Sequence, residues 1–148
     1  MPGPGTQPIV LITGADGNLG RMLTQALVPD FGVVGLSRSP VEANIPLVEC
    51  DLSSDASVEK ALREFRGKFG PRIASVVHLA AYFDFSGEDN PLYETVNVQG
   101  TRRLVRALQS FEVEQFLYAS TMLVHAPCRP GEHTDERQPI EPRWAYPK

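Results

Sequence analysis

The chain has 148 residues, of which 42% are hydrophobic and 22% are charged, and its formal net charge is −4. This is about one domain's worth of chain with the composition of a globular protein. The charge excludes a strongly basic nucleic-acid-binding surface, and every apolar stretch is far shorter than a membrane span. We therefore expect a cytoplasmic protein whose partners include neither nucleic acid nor membrane.

Residues 1–8 are rich in proline and glycine and have neither a charged start nor a long apolar run. These features exclude a signal peptide and predict a flexible lead-in over 1–8. Cys50 and Cys128 form no Cys-x-x-Cys pair, so we expect two free thiols. His78 has no metal-ligating residue beside it at a suitable spacing, so we expect no metal site.

From residue 8 onward, apolar runs alternate with stretches of helical periodicity. The predicted strands are 8–13, 32–37, 45–50, 73–79 and 115–120, and the predicted helices are 18–28, 55–67 and 91–110. Asp55 is expected to cap the second helix, and Asn90 followed by Pro91 is expected to begin the third. From Thr121 the chain is proline-rich, and we expect irregular structure there.

This alternation predicts an α/β fold, a Rossmann-type doubly wound parallel sheet with strand order 3-2-1-4-5, and we assign 9–148 to this domain. In such sheets ligands bind beyond the carboxyl ends of the strands, where the strand order reverses. That point lies between strands 1 and 4. The least ordinary residues of the chain follow strand ends, so we expect the functional site at this edge of the sheet.

The segment from Thr13 to Gly20 reads Thr-Gly-Ala-Asp-Gly-Asn-Leu-Gly and joins the first strand to the first helix. Three glycines at this spacing would allow a tight turn, a close approach to a pyrophosphate and close packing of helix on strand. Backbone N–H groups at the start of the helix would face the phosphates. The alternative is an ordinary strand-to-helix turn. The predicted cofactor-binding residues here are Gly14, Asp16, Gly17, Asn18, Leu19 and Gly20.

The end of the second strand indicates which dinucleotide is preferred. An NAD site usually has an acidic residue there, but this chain has Ser37 and Arg38, and the next acid is Glu42. An arginine at this place can pair with the 2′-phosphate of NADP. We therefore predict NADP, with NAD possible; the alternative is that Arg38 is simply solvated.

The motifs together resemble the extended short-chain dehydrogenase/reductase family, which includes nucleotide-sugar epimerases, dehydratases and reductases. Besides the glycine segment, four stretches carry the resemblance. They are Asp51-Leu52, 78–81 (His-Leu-Ala-Ala), 97–101 (Asn-Val-Gln-Gly-Thr), and 118–124 with the later Tyr146. The resemblance implies that Asp51 and Leu52 contact the adenine, and that Leu79, Ala80 and Ala81 lie beneath the ribose and phosphates.

The resemblance also implies three catalytic residues. Tyr146 would be the general acid/base, Thr121 would bind the substrate oxygen, and Asn97 would bend its helix and place a water in a proton relay. Asn97 is also predicted to bind the cofactor. Ser120 is the alternative to Thr121, which stands three residues before Val124 as the family pattern requires. Met122 and Leu123 replace the acidic pair of sugar 4,6-dehydratases, so 4,6-dehydratase chemistry is not expected.

Each catalytic residue also has a purely structural explanation. Thr121 could cap a strand end, Asn97 could make local hydrogen bonds, and Tyr146 could lie exposed in a frayed tail. The family lysine, four residues after the tyrosine, would fall beyond Lys148, and Lys148 itself does not share a helix face with Tyr146. Without that lysine, the pKa of Tyr146 is expected to lie near its ordinary value.

The resemblance implies that this chain is the cofactor-binding part of a longer, homodimeric epimerase or reductase/dehydrogenase. Its substrate would be a nucleotide sugar or a related hydroxyl or carbonyl compound. The fifth strand is then expected to be an exposed edge, and the 148-residue chain is expected to be inactive. The alternative is a non-catalytic NADP-binding or redox-sensing module of the same fold.

Overall fold

The computed structural model describes residues 7–40 and 44–148, so most of the predicted lead-in lies outside the described residues. Five parallel strands form one sheet in the order β3-β2-β1-β4-β5, as predicted. The strands are β1 (Ile9–Thr13), β2 (Gly32–Ser37), β3 (Leu47–Glu49), β4 (Arg72–His78) and β5 (Glu112–Tyr118).

The described part of the chain has three α-helices between strands, and none of them lies between β2 and β3. They are α1 (Asn18–Leu27), α2 (Asp55–Phe69) and α3 (Gln99–Leu108), and α3 follows directly on a π-helical segment, Tyr93–Val98. A short 3₁₀ turn, Met122–Val124, comes after β5. None of the helices described is long and apolar enough to cross a membrane.

Alternating side chains of the strands pack into two hydrophobic cores, one on each face of the sheet. Leu11 of β1 packs into a core with Phe65 of α2 and Leu104 of α3. Its neighbours Val10 and Ile12 point to the other face, where they pack with residues of α1. Because successive side chains of a strand point to opposite faces, one strand serves both cores, as a doubly wound sheet requires.

The two ends of α2 differ from the prediction. Ser54, rather than Asp55, is the N-cap: its hydroxyl oxygen accepts a hydrogen bond from the backbone N–H of Ser57 at 3.3 Å. The helix does not end near the exposed Gly67 but continues to Gly70, whose φ of +85° stops it. A glycine in this left-handed conformation is a common helix terminator.

Four of the five strands have limits that differ from those predicted, by one residue at one end of β1 and at both ends of β4, and by more in β3 and β5. β3 begins at Leu47 rather than at residue 45, because Pro46 lacks the N–H group that a ladder requires. β5 begins at Glu112, three residues before the predicted start, and Glu112 pairs with Arg72 of β4. Polar residues are tolerated at an edge strand, so apolar content alone does not locate its beginning.

The third predicted helix is interrupted. Asn90 caps its start as expected, since its Oδ1 accepts a hydrogen bond from the backbone N–H of Leu92 at 3.0 Å. The chain then forms the π-helical segment, which contains Asn97, before α3 continues to Leu108. Single π turns inside α-helices occur frequently at functional sites.

Candidate functional site

Each of the three glycines after β1 is needed for a different structural reason. Gly14 has a φ of +70°, and a Cβ there would lie 3.0 Å from the backbone nitrogen of Ala80. A Cβ on Gly20 would collide with the carbonyl oxygen of Gly14. Gly17 is exposed, and an added Cβ would meet only the Gly14 oxygen, at 3.3 Å. Gly14 and Gly20 therefore shape the turn, while Gly17 leaves backbone open to a ligand.

The start of α1 can receive an anion. Gly17 is the N-cap, and no side chain caps the helix among the residues described. Backbone N–H groups of a first helical turn without a side-chain cap attract phosphate oxygens. Asn18 and Leu19 are exposed on this turn.

A cavity of about 410 Å³ lies at the carboxyl ends of β1 to β4, within the usual range for ligand sites. It brings together ten of the predicted cofactor-binding residues. These are Gly14, Asp16, Gly17, Ser37, Arg38, Asp51, Leu52, Leu79, Ala80 and Ala81. Gly20 and Asn97 lie outside its lining, as do the two exposed residues of the α1 turn.

Asp51 is held as a carboxylate in this first cavity. Its Oδ1 accepts hydrogen bonds from the hydroxyl of Ser53 at 2.7 Å and from the backbone N–H of Ser53 at 2.9 Å. These bonds keep the pKa of Asp51 below its usual value. The adjacent Leu52 is buried, and a Cβ on Gly100 of α3 would lie 2.9 Å from its Cβ. The close contact with α3 therefore fixes the loop after β3.

The Asp16 carboxylate lies at the end of β2, where the sequence predicted no acidic group. The Ser37 hydroxyl donates to Oδ2 of Asp16 at 2.8 Å. Arg38, the next residue of the chain, is exposed and lines the same cavity. The carboxylate comes from the glycine turn, 21 residues earlier, so inspection of the residues that follow β2 could not reveal it.

A second cavity of about 340 Å³ shares Leu79, Ala80 and Ala81 with the first. Its lining includes all three predicted catalytic residues. These are Asn97, Thr121 and Tyr146. The three come from the π-helical segment, from the end of β5 and from residue 146 in the irregular part of the chain. The wall from Leu79 to Ala81 therefore separates a nucleotide-sized cavity from the predicted catalytic residues.

Asn97 holds the segment after β4. Its Oδ1 accepts from the backbone N–H of Tyr82 at 2.7 Å, and its Nδ2 donates to the Tyr82 carbonyl at 2.9 Å. Both ends of the amide are therefore bonded to one residue next to the shared wall. This is a positioning contact; the predicted role in a water-mediated proton relay stays a prediction.

Thr121 and Tyr146 lie in a segment that folds back on itself. Residues 125 and 140 form an antiparallel bridge, which returns the chain toward the end of β5. The Thr121 hydroxyl accepts a hydrogen bond from the backbone N–H of Leu123 at 3.2 Å. This bond occupies a lone pair and leaves the hydroxyl proton free to be donated.

The surroundings of Tyr146 are aromatic. Phe83 meets its ring edge-on with centroids 4.6 Å apart, and Tyr93 lies 5.9 Å away. Burial raises the pKa of Tyr146 above its ordinary value, and the neighbouring Tyr118 and Tyr93 add to this effect. The sequence predicted a pKa near the ordinary value, a prediction that did not account for burial or for the other phenols.

Sequence analysis did not identify Tyr93. Its hydroxyl oxygen is buried and has no hydrogen-bond partner in the described part of the chain. Its side chain lines the second cavity together with Tyr146. Tyr93 stands four residues before Asn97, a spacing that places two helical residues on one face, and this is the signal that could have found it.

A buried chain of hydrogen bonds connects the two cavities through His78. Its Nδ1 lies 2.6 Å from the Thr13 hydroxyl, and its Nε2 lies 2.9 Å from the Thr101 hydroxyl. Thr101 donates its own proton to the Asn97 carbonyl, and Thr13 accepts from the Ala80 N–H. The proton of His78 is therefore assigned to Nε2. Burial lowers the pKa of His78 to about 4, so the ring is neutral.

The sequence profile described as "NAD dependent epimerase/dehydratase family" matches residues 10–148. The chain belongs to the NAD-dependent epimerase/dehydratase family. The resemblance inferred from the motifs is thereby confirmed, and so is the association of this domain type with NAD.

Individual relatives within the family agree with this assignment. An undecaprenol-linked N-acetylglucosamine 4-epimerase of Escherichia coli O157:H7 is 27% identical over 94% of this chain and 39% of its own length. An L-arabinose 1-dehydrogenase (NAD(P)(+)) of Haloferax volcanii is 30% identical over 78% of this chain and 42% of its own length.

Among solved structures, the UDP-glucose 4-epimerase of Thermus thermophilus in complex with NAD is similar to this chain. The TM-score is 0.80 and the sequence identity is 30%, and the match covers 93% of this chain and 46% of the Thermus chain. The chain thus spans less than half the length of these relatives.

Proposed function

We propose that this chain is the NAD(P)-binding domain of an epimerase or a reductase/dehydrogenase. The substrate is a nucleotide sugar or a related hydroxyl or carbonyl compound, and the reaction proceeds by hydride transfer. The observation that carries the proposal is the wall of Leu79, Ala80 and Ala81, which the two cavities share. It supports the proposal because the first cavity thereby adjoins the second cavity, which Thr121 and Tyr146 line.

The residues present fit a dinucleotide. The open backbone at Gly17 and the first turn of α1 suit a pyrophosphate. Asp51 and Leu52 line the first cavity, where the resemblance implies that the adenine binds, and the small side chains of Ala80 and Ala81 form part of the shared wall. When bound there, the nicotinamide supplies the hydride acceptor or donor.

The chain's own groups supply the proton chemistry. The Tyr146 phenolate takes the proton of a substrate hydroxyl, or the phenol returns one to a substrate carbonyl oxygen. Thr121 donates its free hydroxyl proton to the same substrate oxygen and so orients it. Asn97 keeps the segment after β4 in place and thereby maintains the wall between the cavities.

The test removes one hydroxyl from the second cavity at a time. In the protein at its natural length, Tyr146→Phe should lower turnover by at least about a hundredfold. Dinucleotide binding should be unchanged. Tyr118→Phe, which removes another hydroxyl from the same cavity, is the control and should keep most of the activity. Product analysis with a panel of sugar nucleotides and simple carbonyl compounds measures both epimerisation and net oxidation. Equal loss in both variants would contradict the role of Tyr146.

Arg38 supports the finer proposal that NADP is accepted. Its guanidinium is exposed at the end of β2 in the first cavity, where it can pair with a 2′-phosphate. Arg38→Asp is therefore expected to shift the preference toward NAD by roughly ten- to a hundredfold in relative affinity.

A non-catalytic, redox-sensing role is the second candidate, and the raised pKa of Tyr146 favours it. A phenol with a raised pKa is a poor base near neutral pH. If the domain is catalytic, binding of the dinucleotide and substrate must offset the effect of burial on the pKa of Tyr146. The polypeptide 1–148 alone should then bind the dinucleotide without turnover. We further propose that the whole protein is a homodimer.

A further inference from the structure

We propose that Asp16 determines cofactor choice in opposition to Arg38. Its carboxylate accepts a hydrogen bond from the 2′-hydroxyl of NAD and repels the 2′-phosphate of NADP. Arg38 acts in the reverse sense, so the protein uses both dinucleotides. The inference rests on the proposed dinucleotide-binding function and adds to it the residue that keeps NAD competitive.

The first step is that Asp16 is held in place at the end of β2. Ser37 is 3% exposed, and its hydroxyl donates to Oδ2 of Asp16 at 2.8 Å. The Ser37 oxygen in turn accepts a hydrogen bond from the backbone N–H of Ser39 at 3.3 Å. This second bond leaves the Ser37 hydroxyl proton directed toward Asp16, so the buried serine fixes the carboxylate.

The second step is that the carboxylate keeps an acceptor available. Within residues 7–40 and 44–148, only Oδ2 of Asp16 takes part in a side-chain hydrogen bond, namely the one from Ser37. The Arg21 guanidinium bonds the backbone oxygen of Asp16 and not its carboxylate. Asp16 lines the first cavity, so Oδ1 can accept from a ligand hydroxyl there.

The third step is that the charge of Asp16 is not neutralised. No described cation lies within 4.0 Å of its carboxylate in an ion pair, and Arg38 lines the same cavity without forming one. A 2′-phosphate entering this cavity would meet one attractive charge, that of Arg38, and the repulsive charges of Asp16 and Asp51. A 2′-hydroxyl would meet an acceptor and no repulsion.

The experiment compares NADP and NAD binding to the protein at its natural length by titration. The wild-type protein should bind the two with affinities within about tenfold of each other. Asp16→Asn keeps one acceptor oxygen, which can still receive the Ser37 hydroxyl, and turns an amide NH2 toward the ribose hydroxyl, whose oxygen can accept from it, while the charge is removed. It should raise NADP affinity by roughly ten- to a hundredfold and change NAD affinity by less than about threefold. Asp30→Asn removes an exposed acid outside the cavity and should change neither.

Salt dependence gives a second measurement. Since the wild-type site presents opposed charges, raising the salt concentration should weaken NADP binding less in the wild-type protein than in Asp16→Asn. Unchanged affinities and unchanged salt dependence in Asp16→Asn, in a protein that binds dinucleotides, would overturn this inference alone. A wild-type protein that binds neither dinucleotide would instead overturn the proposed function.

Discussion

The glycine turn shows how residues with the same side chain can have separable effects. A Cβ on Gly14 or Gly20 would lie 3.0 Å or less from backbone atoms, whereas a Cβ on the exposed Gly17 would meet only the Gly14 oxygen, at 3.3 Å. Substitutions should therefore divide into those that damage the fold and those that damage binding.

Gly17→Val should abolish measurable dinucleotide binding, because its side chain occupies the space that a pyrophosphate needs. Its thermal stability should remain close to that of the wild-type protein. Gly20→Ala is the contrast, since its Cβ would collide with the Gly14 oxygen. It should lower the free energy of unfolding by about 1–3 kcal/mol or more. Titration with dinucleotide and urea unfolding measure the two effects, and retained affinity in Gly17→Val would contradict the phosphate-binding role.

At the scale of elements, His78 joins three parts of the fold. Through Thr13 and Thr101 it links β1 and β4 to α3, and it is almost fully buried. Both ring nitrogens are used only while the ring is neutral, because a protonated Nδ1 could no longer accept the Thr13 proton.

The depressed pKa of His78 should make the fold sensitive to acid. The pKa of His78 is about 4 in the folded protein and about 6.5 when unfolded, so protons bind the unfolded chain first as the pH falls. This contribution is fully present above about pH 6.5 and is lost progressively toward pH 4. The total loss is about 3 kcal/mol.

Urea unfolding at pH 7.5 and pH 4.5 tests this expectation. The wild-type protein should lose more stability between the two values than His78→Gln does. His133→Gln, which changes an exposed histidine, should follow the wild-type protein. Equal losses in His78→Gln and the wild-type protein would mean that His78 does not carry the acid sensitivity.

How much the sequence could predict depends on whether a feature is set by neighbouring residues. The glycine turn, the strand order and the Asn90 cap follow from local patterns, and the structure confirms them. The acidic group at the end of β2 comes from Asp16, and the link from Thr13 to Thr101 joins distant segments. Such contacts depend on how whole elements pack, which local patterns do not report.

At the scale of the whole molecule, the edge of the sheet at β5 is exposed. β5 pairs only with β4 among the described residues, and most of its side chains are exposed. Phe116, Leu117 and Tyr118 are between 38% and 57% exposed. This agrees with the predicted exposed edge.

The polypeptide 1–148, studied by itself, should therefore self-associate as its concentration rises, because an unpaired edge beside exposed apolar side chains can pair with another copy. Leu117→Glu places a charge on this strand and should reduce the association. Met22→Glu, at an apolar position on α1 that is more exposed than Leu117 (68% against 46%), should not. Sedimentation velocity over a range of concentrations measures both, and a monomer at all concentrations would contradict the expectation.

The π-helical segment sets the rotational phase of everything that follows it. A π turn holds one residue more than an α turn, and each residue of an α-helix advances the chain by about 100° around the axis. Deletion of one residue between Tyr93 and Val98 would restore regular winding but would turn α3 about its axis. Gly100 would then lose its close contact with Leu52, and Thr101 would lose its hydrogen bond with His78. Because of the extra residue, one continuous helix places Tyr93 in the second cavity and Gly100 against the loop that borders the first cavity.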